Sequence, residues 1–373
     1  MNAPVSYHLD KFPPESLEWE RLIPLLGPAG AAIARYDGLL SAIPNASVLL
    51  SPLVTQEAVL SSAIEGTQAT MSEVLEVEAG GEPAGLTEPR RGDIFEVINY
   101  RAAMNECVKA LATRPLSQHM LRQAHEILMR GVRGQRKTPG SHRVDQNWIG
   151  PHGCRIDEAE FIPIPPEHLQ SGMDQWEAFL NSTQPDALVQ LAILHVEFEA
   201  LHPFRDGNGR LGRMLIPLFL FAKKQLSGPN FYVSGYFETR REEYIDRLRA
   251  VSRDDNWTDW CVFFLHALIA QATDNEGKAR EILSLYNEVK RKIVDLTHSQ
   301  HAIRAVDFLF KTPIFNGRNF KAEAEMPRPT ATRILNLLHS AGIVKLVRSA
   351  QGRQPAIHSF PALLNIAEGR SVF

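Results

Sequence analysis

The sequence predicts a mainly α protein with one β-hairpin and a small α+β domain at its carboxyl end. Three observations predict this fold class. Apolar residues recur at helical spacing over about two hundred residues after the first fifteen. Between residues 141 and 166 that period gives way to short β-prone runs. Beyond residue 300, three helical segments are followed by two strand-like runs.

The chain is long enough for more than one domain. At 373 residues it exceeds what a single hydrophobic core usually serves. We expect an N-terminal helical region over 1–112, a central helical core over 113–270, a helical connector over 271–299 and a carboxyl-terminal domain over 300–373.

The composition is that of an ordinary globular protein, with 44% hydrophobic and 22% charged residues. A net charge of -3 gives no overall attraction to nucleic acid or to a membrane surface. Cys107, Cys154 and Cys261 lie far apart, so neither a disulfide framework nor a zinc site is expected. No apolar run resembles a signal peptide or a membrane span, and we therefore expect a cytoplasmic protein.

The first helices are defined by their start and stop signals. After an extended lead over residues 1–15, Ser51-Pro52 begins a helix that Gly66 ends. Thr70 and Glu73 have the spacing of a capping box, which predicts a short helix before a flexible stretch over 79–85. Longer helices are predicted over 90–112 and 117–130, followed by a loop over 131–140 that is rich in glycine and charge.

The middle of the chain contains the predicted hairpin and two further helices. The β-prone runs 147–150 and 161–164 flank Pro151-His152-Gly153, which favours a turn. A helix is predicted over 167–181, and Asp186 can cap the next one, which leads to His202. His195 lies earlier on that helix and is interpreted as a core or supporting histidine.

Residues 202–213 form a glycine-rich loop that leads into an apolar helix. The N-terminus of a helix presents unpaired backbone N–H groups and a positive dipole, which favour phosphate. Gly207 and Gly209 allow a ligand to approach the backbone, and Asn208 can donate a hydrogen bond to a phosphoryl oxygen. Arg210 and Arg213 lie three residues apart on the first turn and can bind one anion together.

Two more side chains in this loop predict chemistry rather than binding alone. Asp206 offers the hard oxygen ligand that a phosphate-bound Mg²⁺ ion requires. His202 can act as a general base, because imidazole titrates near neutral pH. The stretch therefore predicts a nucleotide-phosphate site with a base beside it.

This stretch resembles the signature of the Fic family, H-x-F-x-D/E-G-N-G-R-x-x-R. The constrained positions are matched by His202, Phe204, Asp206, Gly207, Asn208, Gly209, Arg210 and Arg213. The resemblance implies a mainly α fold with a Fic-type helical core, a β-hairpin flap and transfer of AMP from ATP, with Mg²⁺, to a hydroxyl of a target protein. It implies that His202 takes the hydroxyl proton, that Asn208 and Arg210 assist, and that Phe204 anchors the loop.

The helix that Gly66 ends resembles the inhibitory motif of the same family, S/T-x-x-x-E-G/N. Ser61, Glu65 and Gly66 match it. The resemblance implies that Glu65 pairs with Arg213 and withdraws that arginine from the γ-phosphate of ATP. Taken without the rest of the chain, Glu65 would be interpreted as a solvated surface residue.

Two further features resemble parts of the family. The hairpin over 141–166 resembles the flap, along which a target segment binds by strand addition, although an ordinary surface hairpin is the alternative. By position, Tyr236 and Tyr244 are candidates for contact with the nucleotide, with simple core packing as the alternative. The family also often forms homodimers.

The pattern over residues 300–373 resembles a winged helix-turn-helix domain. The segment holds ten Lys or Arg and four Asp or Glu residues, a local charge of +6 (10 - 4). Arg328, Arg333 and Arg353 would lie on its recognition helix and wing, so duplex DNA is one possible partner. A protein-docking or dimerisation module is the alternative.

Taken together, these features predict a protein adenylyltransferase that Glu65 holds inhibited. Removal of AMP, or transfer of another phosphate-containing group at the same site, is an alternative reaction. A DNA-binding regulator whose Fic core senses nucleotide is an alternative of a different class.

Overall fold

The computed structural model describes residues 3–43, 45–83, 85–151, 153–352 and 354–372. As predicted, the described part is mainly helical and contains only small sheets. Its helices are α1 (Trp19–Ala42), α2 (Ala46–Leu49), α3 (Ser51–Ile64), α4 (Met71–Glu78), α5 (Glu88–Leu111), α6 (Gln118–Leu128), α7 (Pro166–Asn181), α8 (Ala187–Leu201), α9 (Asn208–Ala222), α10 (Ser234–Thr239), α11 (Arg241–Asp254), α12 (Trp257–Thr297), α13 (Ala302–Lys311), α14 (Gly317–Glu323), α15 (Arg328–Ser340) and α16 (Pro361–Glu368). Its strands are β1 (Val5–Ser6), β2 (Phe161–Ile162), β3 (Ile314–Asn316), β4 (Lys345–Arg348) and β5 (Ile357–Ser359).

The chain forms two compact units. The first unit comprises residues 1–37, 60–66 and 99–273, and the second comprises 38–59, 67–98 and 274–373. Helices α1, α3, α5 and α12 each contribute residues to both units. Each unit is described by itself below.

The first unit is built around α8, which is apolar on nearly every face and almost completely buried. The helix begins where the Asp186 side chain accepts hydrogen bonds from the Leu188 and Val189 amides. It packs against α7 and α9. The indoles of Trp176 and Trp260 donate hydrogen bonds to carbonyls of α8, at 2.9 and 2.7 Å. These contacts fix the helix that precedes the glycine-rich loop.

The predicted hairpin is reduced to one antiparallel bridge, between Ile149 and Phe161. The bridge joins one residue from each of the two segments. Pro151 and Pro163 lie close to it and have no backbone N–H to donate, so the bridge does not extend into a regular ladder. On its other side, β2 pairs in parallel with β1, with Val5 opposite Phe161. The predicted extended lead therefore completes a small sheet. His152, at the predicted turn, lies outside the described residues.

The second unit contains the predicted α+β segment. Its antiparallel sheet has the order β3-β5-β4, and the chain enters it as α13, β3, α14, α15, β4 and β5. Strand β3 was not predicted. Helix α4 begins with the predicted capping box of Thr70 and Glu73 and packs against β3. The segment predicted as a connector forms part of the 41-residue helix α12.

No helix among the described residues is long and apolar enough to cross a lipid bilayer.

Candidate functional site

The glycine-rich loop lies between the end of α8 and the start of α9. Helix α8 ends at Leu201 and is capped by His202, whose backbone adopts a left-handed conformation with φ 47°. Helix α9 begins after Gly207, which has φ 76°. The Asn208 side chain accepts a hydrogen bond from the Phe204 amide and donates one to the Phe204 carbonyl, each at 2.8 Å. The amide that we expected to contact a phosphoryl oxygen is thus used to close the loop.

Helix α6 supports the loop through the side chain of His125. The Phe204 ring stacks on His125 of α6, with ring centroids 4.0 Å apart. His125 Nδ1 accepts a hydrogen bond from the Gly140 amide, so Nε2 carries the hydrogen and donates it to the Asp206 carbonyl at 3.0 Å. Burial lowers the pKa of His125 to about 4, which keeps the ring neutral. No pattern in the sequence indicates this contact.

Arg213 lies on the first turns of α9, and its side chain is fully buried against residues 61–65. Its Nε donates to Ser61 Oγ at 3.0 Å, and its Nη2 donates to the Ser61 carbonyl at 2.7 Å. The same Nη2 lies 2.7 Å from Glu65 Oε1. The structure thus brings together the predicted pair Glu65 and Arg213, with Ser61 beside them. Gly66 follows with φ 93°, a conformation that favours glycine.

The Glu65 carboxylate also lies against the first turn of α9. A Cβ atom built on Gly209 would overlap Glu65 Oε1. An anion therefore already lies at the N-terminal end of this helix, which is where a phosphate is expected to bind. Burial alone would raise the pKa of Glu65, but the Arg213 guanidinium outweighs it and the pKa lies below its ordinary value. Glu65 is consequently ionised at neutral pH.

His202 lines a cavity and has the protonation state of a base. Its Nδ1 lies 3.3 Å from the Glu199 carbonyl oxygen, which can only accept a hydrogen bond. We therefore assign the hydrogen to Nδ1, which leaves the lone pair of Nε2 to accept a proton. Burial lowers the pKa of His202 to about 4, so the imidazole is neutral near pH 7.

Asp206 is the part of the loop that could hold a cation. Its Oδ2 forms an ion pair with Lys137 Nζ at 2.8 Å, and its Oδ1 lies 3.7 Å from Arg210. A carboxylate that already attracts an ammonium group suits Mg²⁺, which takes oxygen ligands. The described residues contain no cluster of three His, Cys, Asp or Glu side chains that could bind a metal by themselves.

The cavity beside the loop has a volume of about 360 Å³. Its polar lining includes Glu199, whose carboxyl pKa is raised to about 8 by burial and by the nearby Glu65. Glu199 is not among the predicted site residues, although it lies one helical turn before His202. The remaining walls come from the end of α3, the flap segment, α8, α9 and α11: Ile64, Ile149, Gly150, Pro151, Glu160, Phe161, Val196, Ala200, Gly209, Arg213, Arg241, Tyr244, Ile245, Leu248 and Arg249.

The two candidate tyrosines lie in different places. Tyr244 lines the cavity, but it is buried and its hydroxyl bonds to His195 Nε2 at 2.8 Å. His195 Nδ1 in turn donates to the Gly212 carbonyl, so this histidine supports α9. Tyr236 lies outside the cavity lining and stacks against the Arg240 guanidinium, 4.1 Å from the ring centroid.

The predicted DNA-contacting arginines of the second unit differ in their surroundings. Arg328 is exposed at the start of α15, whereas Arg333 donates a hydrogen bond to the Thr297 carbonyl at 3.1 Å. Arg353 lies outside the described residues. Arg348, at the end of β4, forms an ion pair with Glu76 of α4.

Comparison with known proteins places two family models on the chain. The model described as Fic/DOC family N-terminal matches residues 23–109, and the model described as Fic/DOC family matches residues 115–220. The second match contains the whole glycine-rich loop.

Similar proteins and structures agree with these matches. A protein named as a probable protein adenylyltransferase from Aquifex aeolicus is 29% identical over 209 residues, which is 54% of this chain and 55% of that protein. A protein adenylyltransferase Fic from Drosophila mojavensis is 34% identical over 84 residues, covering 22% of this chain and 15% of that one. The chain thus spans about half the length of the first relative and less of the second. The crystal structure of a Fic family protein from Desulfovibrio desulfuricans shares the fold, with a TM-score of 0.59, 23% identity and coverage of 93% and 98% of the two chains.

Proposed function

Because the chain belongs to the Fic/DOC family, we propose that it is a protein adenylyltransferase that moves AMP from ATP to a hydroxyl group of a target protein. The observation that supports this most is the Glu65 carboxylate at the N-terminal end of α9, bonded to Arg213 beside a neutral His202. An anion site, a base and an adjoining cavity are the parts that such a transfer needs.

In the proposed reaction His202 Nε2 accepts the proton of the target hydroxyl. The freed oxygen attacks the α-phosphorus of ATP, the bond from that phosphorus to the bridging oxygen breaks, and pyrophosphate leaves. Amides at the start of α9 hold phosphoryl oxygens, while Arg210 and Arg213 offset the charge of the β- and γ-phosphates. Asp206 would hold a Mg²⁺ ion, which would neutralise phosphate charge when bound. The protein thus acts mainly by positioning and electrostatics.

The proposal includes inhibition by Glu65. Its carboxylate and a terminal phosphate need the same guanidinium and the same end of α9, so the two anions exclude each other. Since ionised Glu65 lies 2.7 Å from Arg213, ATP would meet a site in which Arg213 is already engaged. Productive binding would then require the end of α3 to move or to lose its carboxylate.

The proposal can be tested with ATP that is labelled at either end. In a Glu65→Gly variant, transfer of AMP labels protein from [α-³²P]ATP and not from [γ-³²P]ATP, and it releases pyrophosphate. The double variant with His202→Ala should lose at least about a hundredfold in rate, as expected for a general base. Label from the γ-position would indicate phosphoryl transfer instead, and an unchanged rate in the double variant would exclude His202 as the base.

We further propose that the carboxyl-terminal part of the second unit is a winged helix-turn-helix domain that binds duplex DNA. The chain order of α13, β3, α14, α15, β4 and β5, with its sheet order β3-β5-β4, supports this proposal. So does the local charge of +6 over residues 300–373. A gel shift of the full chain with random duplex DNA tests it, and absence of binding at low salt would favour the protein-docking alternative.

A further inference from the structure

Arg143 is a buried cation that the proposed mechanism does not use. Only 2% of the residue is exposed. Its Nε donates to the His202 carbonyl at 3.0 Å, and its Nη1 donates to the Asp145 carbonyl at 3.1 Å. Its Nη2 donates to the carbonyls of Leu201 and Ile164. One guanidinium thus joins four backbone carbonyls from three separate segments.

The backbone of Arg143 is held at the same place. Its amide donates a hydrogen bond to the Pro203 carbonyl at 2.9 Å. The residue therefore contacts the chain before, at and after His202, through Leu201, His202 and Pro203. Through Asp145 and Ile164 it also reaches both ends of the segment that contains the predicted flap.

Among the residues that the structure describes, no carboxylate lies within ion-pair distance of Arg143. A buried charge without a counter-ion is costly, and carbonyl groups compensate for it only when they surround it. Arginine suits such a place because its planar fork donates several hydrogen bonds in fixed directions. The burial of this charge is explained if the Arg143 guanidinium is needed to hold His202 in position.

We propose that Arg143 is a positioning residue for His202, which fixes the left-handed end of α8 and thereby directs the imidazole into the cavity. The inference rests on the proposed function, in which His202 is the base. His202 has φ 47°, a conformation that non-glycine residues rarely adopt without support from their surroundings. The guanidinium supplies that support at the His202 carbonyl itself.

The charge of Arg143 has a second effect on the same ring. A cation near the imidazole disfavours its protonated form, and it adds to burial in lowering the pKa of His202 to about 4. Ionised Glu65 and Asp206 act in the opposite direction, and the hydrogen bond to the Glu199 carbonyl does so as well. Loss of the cation should therefore move the pKa of His202 up toward its ordinary value.

The test uses Arg143→Gln and Arg143→Lys in the full-length Glu65→Gly chain, with Arg205→Gln as the matched control. Arg205 lies in the same loop, but it is exposed and pairs with the Asp145 side chain. We expect Arg143→Gln to lower kcat about tenfold to a hundredfold, with KM for ATP changed by less than about threefold. Lysine, which keeps the charge but not the fork, should restore part of kcat, and the control should retain the parental rate.

A second measurement needs no turnover. ¹⁵N NMR of the His202 imidazole should show a higher pKa in Arg143→Gln than in the parent, with an intermediate value in Arg143→Lys. A folded Arg143→Gln variant with parental kcat and parental His202 titration would overturn the proposal. If Arg143→Gln does not fold, Arg143→Lys decides by the same two readouts. If the Glu65→Gly parent transfers no AMP, the proposed function fails, while the NMR titration still decides whether Arg143 controls His202.

Discussion

Replacement of Glu65 by glycine should raise the rate of AMP transfer about fivefold to thirtyfold. The carboxylate makes one charged hydrogen bond to Arg213, at 2.7 Å. Such a bond contributes about 1.5–3 kcal/mol when it is well shielded from water. Because the Glu65 side chain is 40% exposed, we take a lower range of about 1–2 kcal/mol. At about 1.4 kcal/mol per factor of ten, this gives the stated increase.

The assay is the initial rate of protein labelling from [α-³²P]ATP at a fixed ATP concentration, together with calorimetric measurement of ATP binding. Glu65→Gln removes the charge and keeps the size, so it should give a smaller increase. Glu106→Gln is the matched control, because Glu106 is an exposed glutamate paired with Lys109. If both Glu65 variants label within twofold of the parent, the carboxylate does not compete with ATP and the reasoning from its position fails.

Two further predictions concern the same unit. Gly209→Ala should abolish ATP binding even when Glu65 is replaced by glycine, because the added methyl group occupies the place of the anion. Calorimetry measures the binding. The control is Gly277→Ala, whose Cβ meets no atom within 4 Å and which should bind ATP normally. The free energy of unfolding should fall as the pH drops below about 6.5. Burial lowers the pKa of His125 to about 4 and that of His195 to about 3, so the unfolded chain binds more protons than the folded chain. The loss is about 1.4 kcal/mol per pH unit for each ring. Tm measured between pH 7 and 5 checks this, and His125→Asn should flatten the dependence; an equal slope in that variant would contradict it.

The candidate anion site could be recognised in the sequence because its parts are local. Gly207, Gly209 and the two arginines all lie within seven residues of one another, so chain geometry alone brings them to one helix end. The contact between Glu65 and Arg213 spans a sequence separation of 148 residues, and only the family resemblance suggested it. No local pattern marks a partner at that distance.

The supporting residues could not be predicted, for a related physical reason. His125 and Arg143 act on backbone groups, and every residue except proline offers the same amide and carbonyl. A sequence therefore does not reveal which carbonyl a buried donor will find. The same holds for β1, which pairs with Phe161 and Ile162 through the backbone.

The predicted elements differ from the structure where tertiary packing outweighs local signals. The segment predicted as a helical connector over 271–299 is helical as far as Thr297, and buried residues such as Ala279, Ile282 and Ile293 continue the helical stripe through it. The residue pattern over 238–253 by itself indicates one helix, whereas the chain breaks at Arg240 between α10 and α11. Short apolar strands such as β3 resemble the ends of helices in sequence, because three residues show no period.

The contacts of Arg213 explain why removal of one carboxylate should activate the protein rather than disorder its site. Ser61 accepts two hydrogen bonds from the Arg213 side chain, one at its hydroxyl and one at its carbonyl. Both bonds remain when Glu65 is replaced, so the guanidinium stays directed along the start of α9. A phosphate then meets an arginine that is already oriented, and the entropy of ordering that side chain does not oppose binding. Under the proposed function, Ser61 would therefore prepare the site that Glu65 blocks, and replacement of the two residues should have opposite effects on ATP binding although they match one motif.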